Sequence, residues 1–262
     1  MTYNEIRLVT GSEIAEVVLL RPAARNAMTD AMGAEICRAV DELNADATVR
    51  VVLVRGEGEA FSAGGDFSML AARARLPEAE NRAAMRKFYA DFLSVRALRV
   101  PTLAVIAGPA IGAGLCFALA CDLRVAAAGV KLAASFVRLG LHPGMGATYL
   151  LPRLIGPAAA ADLLLTGRAI DSDEALRLGL VNQVHSRDAL DVAARALAAQ
   201  IAAAGPLAVA QTKATLTAAS DRELDSALDR EAAEQAIDFG TADFAEALQA
   251  AAERRAPRFR GA

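Results

Sequence analysis

The chain has 262 residues, 55% hydrophobic and 23% charged, which suits a large buried core and not a disordered chain. Lys and Arg number 28 against 31 Asp and Glu, so no basic excess marks a nucleic-acid partner. The 3 Cys (Cys37, Cys116, Cys121) are widely spaced and His142 and His185 are the 2 His, which argues for a reducing compartment and against a disulfide framework or a metal site.

The N-terminal run MTYNEIRLVT has no basic start followed by an apolar stretch, so no secretory signal is read there and a cytoplasmic protein is expected. Residues 16–20 (EVVLL) read as a strand. Thr29 then precedes an apolar-periodic stretch to Leu43, the pattern of an N-capped helix. A strand follows at 49–54 (VRVVLV), and residues 77–98 read as helix. Further strands are predicted at 103–107, 123–126 and 180–184, with helices at 115–120 and 173–178. This alternation predicts an α/β core with buried sheets over residues 1–205. Beyond Asp188 the sequence turns Ala-rich and helical, broken only at Gly205-Pro206, so 206–262 is expected to be an all-helical appendage. Residues 100–121 carry no charge and are long enough to span a membrane. Pro101, Gly108, Pro109, Gly112 and Gly114 cut that run, so a buried strand, turn and helix is the better reading.

Two segments carry the chemistry. In 56–70 (GEGEAFSAGGDFSML) the residues Ala63, Gly64, Gly65 and Asp66 follow a strand, and small residues there let a ligand approach the backbone amides. In 107–122 (AGPAIGAGLCFALACD) the run Gly112, Ala113, Gly114 opens a helix, whose first amides are unpaired and carry partial positive charge. Facing each other, two such loops make an oxyanion hole. Read singly, each is a tight turn between a strand and a helix.

Together these segments resemble the crotonase superfamily, the enoyl-CoA hydratase/isomerase family. The match runs through RPAARNAM (21–28), AFSAGGDFSML (60–70), AGPAIGAGLCFALACD (107–122) and RLGLHPGMGATYLLPRLIG (138–156), and the ending RRAPRFRG fits as well. The resemblance implies a spiral of ββα turns, a helical C-terminal oligomerisation region over 206–262, and a homotrimer or homohexamer. It implies an acyl-CoA thioester as substrate, with coenzyme A entering as part of it and no separate cofactor or metal. It places the oxyanion amides at Gly65 and Ala113. Arg25, Ala27 and Ala63 would hold the CoA adenine and pantetheine, and Asp66, Phe67 and Ser68 would line the same channel beside Gly112.

The residues expected to move protons depart from the family pattern. Cys116 and Phe136 stand where hydratases carry two glutamates, and Gly144 stands where some isomerases and dehalogenases carry an aspartate. General acid–base help contributes about 10²–10⁴-fold, so poor crotonyl-CoA hydration is expected. His142 has two readings, a replacement acid–base residue in the acyl loop or a ring packed beside Pro143. Cys116 also has two, a thiol acidified by the helix N-terminus or a small buried apolar residue. Asp66 and Asp122 read as structural ties. Ser135 and Tyr149 read as polar wall or as packing. Arg254, Arg255 and Arg258 read as a solvated face or as contacts to CoA phosphates. Three functions stay open: a hydratase/isomerase-type enzyme with atypical residues, a non-catalytic acyl-CoA binder, and an isomerase or decarboxylase resting on the oxyanion hole.

Overall fold

The computed structural model describes residues 2–218 and 221–261. Its main sheet has six strands in the order β1-β2-β3-β4-β6-β9. They are β1 (Ile6–Val9), β2 (Ile14–Leu19), β3 (Val51–Gly56), β4 (Thr102–Ile106), β6 (Leu123–Ala127) and β9 (Gln183–His185). Only the β1–β2 pair is antiparallel; β2 to β9 run parallel. A parallel sheet is covered on both faces, which explains why β3 and β4 are continuous apolar runs. A second sheet joins β5 (Ala110–Ile111), β7 (Lys131–Ala133) and β8 (Ala169–Asp171).

Helix α1 (Asp30–Ala45) starts as the sequence predicts, with the Thr29 hydroxyl accepting from Met32 N–H. Met32, Ile36, Val40 and Leu43 form its buried stripe. Glu35 lies on the same helix and is also buried. Its carboxylate accepts from the N–H groups of Asn4, Glu5 and Ile6, fastening the strand β1 that sequence reading missed. The predicted helix 77–98 is α3 (Glu78–Leu93) followed by a 3-10 turn, Ser94–Ala97. The last predicted strand starts later than expected, because Leu180 and Val181 are buried in the turn that leads into β9.

The uncharged run 100–121 resolves into β4, β5 and α4 (Ala113–Ala120), and every residue of α4 is buried. Among the described residues no single helix is long and apolar enough to cross a membrane. Phe117 of α4 sits 5.6 Å from Phe92 and 6.3 Å from Phe61 between ring centres, and Phe88 lies 4.9 Å from Phe92. This aromatic group joins α3 to α4, the two helices that flank the site.

The C-terminal half adds α5 (Ala147–Ile155), α6 (Pro157–Thr166), α7 (Ser172–Leu178), α8 (Leu190–Ala202), α9 (Pro206–Ala218), α10 (Asp221–Asp238) and α11 (Ala242–Ala252). The helical reading of 206–262 needs two corrections. A further break falls at 239–241, where Thr241 caps α11, and residues 253–261 are not helical. Helix α10 packs on α3 and α5. Arg86 of α3 pairs with Asp229 at 2.7 Å, and the Glu231 carboxylate accepts from Gly146 and Thr148 N–H at 2.6 and 2.9 Å. The N-terminal end of α5 is thus tied to α10.

Asp122 is a structural tie, as its sequence position suggests. It accepts from the N–H and hydroxyl of Thr102, and from Lys213 Nζ at 2.9 Å. Lys213 is nearly buried and also donates to Val100 O. Asp122→Ala strands that ammonium and two donors. A loss of about 1–2 kcal/mol in unfolding free energy is expected, read from urea denaturation.

Candidate active site

Three backbone segments meet over the C-terminal ends of the parallel strands. The first is the turn 21–28. Arg25 and Asn26 both adopt left-handed φ, 51° and 54°. Asn26 is suited to that region and is fully buried. Its side-chain oxygen accepts from Arg21 N–H, and its amide nitrogen donates to Glu57 O and Ala60 O. The second segment, 62–66, is stitched to the first. Met28 N–H donates to Gly64 O and Asp66 N–H donates to Met28 O. Along an extended chain successive amides point to opposite sides, so the Gly65 N–H faces away from Met28.

The third segment is 109–114. Phe61 and Ser62 N–H donate to Pro109 O, and Ile111 N–H donates to Ser62 O. The approach is close. A Cβ on Gly64 would lie 2.7 Å from Ile111 O and 3.4 Å from Ala113 N; one on Gly114 would lie 2.6 Å from Ser62 Cβ. Gly112 has φ 54° and ψ −123°, a conformation that a side chain strongly disfavours. Gly112 N–H is used by Ala133 O, and Cys116 is the first residue of α4 to bond back along the helix. Among the described residues neither the Gly65 N–H nor the Ala113 N–H has a hydrogen-bond partner.

Both amides border one cavity of about 500 Å³. Of the residues singled out from sequence, Arg25, Ala27, Ala63, Gly65, Phe67, Gly112, Ala113, Ser135 and Phe136 line it. Two unpaired N–H groups on one cavity suit the oxygen of a polarised carbonyl, and a pre-aimed donor is worth about 3–4 kcal/mol to an oxyanion.

Other candidates lie elsewhere. Cys116 is completely buried and outside the lining, with its thiol donating to Gly144 O at 3.5 Å. An acidified thiol is ruled out: burial pushes its pKa well above the ordinary value, and the Glu231 carboxylate adds to the rise. A helix N-terminus is worth about 0.3–1 kcal/mol, less than the cost of burying a thiolate. His142 also belongs elsewhere. Its Nδ1 donates to Pro143 O at 2.7 Å, its N–H donates to Asp238, and it lines a different depression with Pro152 and Leu164. Tyr149 stacks under Arg153 at 4.1 Å and is outside the lining as well. In the tail, Arg255 pairs with Glu246 and Glu253, while the Arg258 N–H donates to Glu246.

Sequence reading missed three lining residues with polar groups: Tyr89, Arg138 and Gln235. Tyr89 lies on the Met85, Phe88, Phe92 face of α3, which reads from sequence as plain core. Gln235 arrives from α10. The Tyr89 hydroxyl donates to Gln235 Oε1 at 2.7 Å, and Gln235 Nε2 donates to His142 O at 2.6 Å. A Cβ on Gly144 would sit 2.5 Å from Tyr89 Oη and 2.8 Å from Gln235 Nε2. The pair therefore fills the space that a side chain at 144 would need.

Asp66 and Ser68 support the loop from outside the lining. Asp66 caps α2 (Phe67–Arg73) by accepting from Ser68 and Met69 N–H, and it pairs with Arg21 at 3.0 Å. The Ser68 hydroxyl donates to it as well, and these donors hold its pKa below the usual carboxylate value. A carboxylate with a depressed folded pKa stabilises the fold above its unfolded pKa of about 4 and loses that contribution as acid protonates it. Asp66→Ala is expected to cost about 1–2 kcal/mol at pH 7. The gap to the native protein should narrow as pH falls below about 4, as followed by denaturant melts at successively lower pH.

The family model for enoyl-CoA hydratase/isomerase matches residues 10–262. A probable enoyl-CoA hydratase of Mycobacterium tuberculosis is 41% identical over 224 residues, covering 85% of this chain and 86% of that protein. A crotonyl-CoA hydratase of Syntrophomonas wolfei is 34% identical over 260 residues, covering 99% of each chain. The crystal structure of an enoyl-CoA hydratase from Mycobacterium avium subsp. paratuberculosis superposes with a TM-score of 0.87 at 28% identity, over 99% of this chain and 100% of that one. With a family model over residues 10–262 and relatives of 34% identity or more across most of both chains, the chain belongs to the enoyl-CoA hydratase/isomerase family.

Proposed function

We propose that the protein binds acyl-CoA thioesters and stabilises their enolates through the Gly65 and Ala113 N–H groups, without the paired glutamates of a hydratase. One observation carries this reading: two unpartnered amides open on a cavity whose lining holds no carboxylate among the described residues. Such a site polarises a thioester carbonyl but has no carboxylate to take up or hand over a proton. Phe136 closes one of the glutamate positions with a ring that cannot hold a water. Returning the carboxylates is more than a two-residue change. A glutamate at 116 would enter a fully buried position against Gly144 O, beside the packed Tyr89 and Gln235.

The same lining favours a second reading, a protein that binds acyl-CoA and does not turn it over. A decarboxylating activity also fits, because loss of CO₂ generates the enolate without a base. Product analysis over a panel of acyl-CoAs separates the three.

Calorimetric titration with butyryl-CoA should show binding. Crotonyl-CoA hydration should run well below a typical enzyme rate of about 10 s⁻¹. Rates at or above that level would refute the missing-acid reading, and no binding at millimolar ligand would refute the ligand assignment. Gly65→Pro deletes one donor. It should lower any thioester turnover by about 10²–10³-fold, and unchanged turnover in the folded variant would remove Gly65 from the oxyanion hole.

A further inference from the structure

Taking the acyl-CoA reading as its basis, the geometry points to Tyr89 and Gln235 as the polar end of the acyl pocket, a pair that selects acyl chains bearing a hydroxyl group. The pair spans 146 residues of sequence and joins α3 to α10. Both side chains are almost completely buried from solvent, yet both line the cavity that the Gly65 and Ala113 amides border.

The hydrogen bonds fix every atom's role. His142 O can only accept, so the atom of Gln235 that faces it at 2.6 Å is the amide nitrogen. Gln235 Oε1 then faces Tyr89, and the phenol proton is committed to it at 2.7 Å. Some capacity remains. Gln235 keeps a second N–H, and Tyr89 Oη keeps its lone pairs. A substrate hydroxyl satisfies both, accepting from Gln235 and donating to Tyr89. A carbonyl satisfies only the first, and an alkyl chain satisfies neither. Burying an alkyl chain here leaves a buried donor unpaired, which is the usual source of discrimination by a polar pocket wall.

Much of the rest of the lining is apolar, including Met85, Phe88, Phe136, Leu141 and Met145. The Tyr89–Gln235 pair is one of few polar groups on that wall, with Arg25, Ser135 and Arg138 the others. It also occupies the space of a side chain at 144, so the site has exchanged a carboxylate position for a neutral donor–acceptor pair. A neutral pair of this kind recognises a hydroxyl and leaves its proton in place.

The test is calorimetric titration of the full chain with hexanoyl-CoA, 3-hydroxyhexanoyl-CoA and 6-hydroxyhexanoyl-CoA. At least one hydroxylated ligand should bind the native protein about 3- to 10-fold more tightly than hexanoyl-CoA, the usual gain for a neutral hydrogen bond. In Tyr89→Phe/Gln235→Met that ratio should fall to about 1. Equal or weaker binding of both hydroxylated ligands to native protein overturns the inference while leaving acyl-CoA binding intact. A preference that survives in the folded double variant also overturns it. Failure of all three ligands to bind overturns the acyl-CoA reading and this inference together. Circular dichroism melts report whether the double variant folds. If it does not, Tyr89→Phe takes its place, and the native ratio alone still decides against the proposal.

Discussion

The site depends on backbone packed directly against backbone. Segment 62–66 and segment 109–114 approach so closely that Gly64 and Gly114 have no room for a Cβ. That contact does two things. It aligns the Gly65 N–H and the Ala113 N–H on one cavity, and it consumes the neighbouring amides in inter-loop bonds. Met28, Ser62 and Ala133 take the hydrogen bonds that would otherwise blur the geometry. Two free donors are left where a ligand can reach them. Leaving N–H groups unpaired costs stability, and the surrounding bonds hold them in place regardless. Buried Asn26 is the keystone of the first loop, because its side chain bonds three backbone groups, Arg21 N–H, Glu57 O and Ala60 O.

Helix α10 closes the opposite side of the cavity, and its anchoring is electrostatic as much as apolar. Glu231 is fully buried, and burial raises its pKa although Gly146 and Thr148 donate to it. Asp238, further along the helix, is half-buried, with its pKa also raised by burial, and it accepts from His142 N–H. Between them stands Gln235. Three successive polar ties at 231, 235 and 238 follow the i, i+4 and i+3 spacing of one helical face. They pin α10 to residues 142–148, the loop that contains Gly144. The helical C-terminal part is therefore part of the cavity wall.

Much of this was legible in the sequence. Continuous apolar runs gave the parallel strands, and the small residues singled out at 64 and 112 are glycines with positive φ. Small residues after a strand pointed to segments 63–66 and 112–114 as loops where a ligand can approach the backbone, and the family resemblance narrowed that to the Gly65 and Ala113 amides. What stayed hidden was tertiary. Tyr89 looks like core because the helix face that carries it is core on both sides of it. Gln235 sits in an Ala- and Glu-rich helix with no local mark of function. His142 carries the right chemistry in the right motif, yet its ring turns back onto Pro143 O, and no local pattern fixes which way a ring in a loop will face. Cys116 failed for energetic reasons: the helix amides are near, but burial outweighs them. The strand β1 was missed because its support, Glu35, is a charge that sequence patterning assigns to the surface.

The neutral residues at positions 116, 136 and 144 follow one electrostatic logic. A carboxylate in this cavity would need water or donors to stay ionised, and close carboxylates would raise each other's pKa. Cys116, Phe136 and Gly144 carry no charge, and the Tyr89–Gln235 bond and the Cys116–Gly144 contact pack around Gly144. A side chain at 144 collides with Tyr89, and a longer one at 116 meets Gly144 O. Positions 116 and 144 are thus coupled through packing, because a bulkier side chain at either one meets the same buried neighbourhood of Tyr89, Gln235 and the Gly144 backbone.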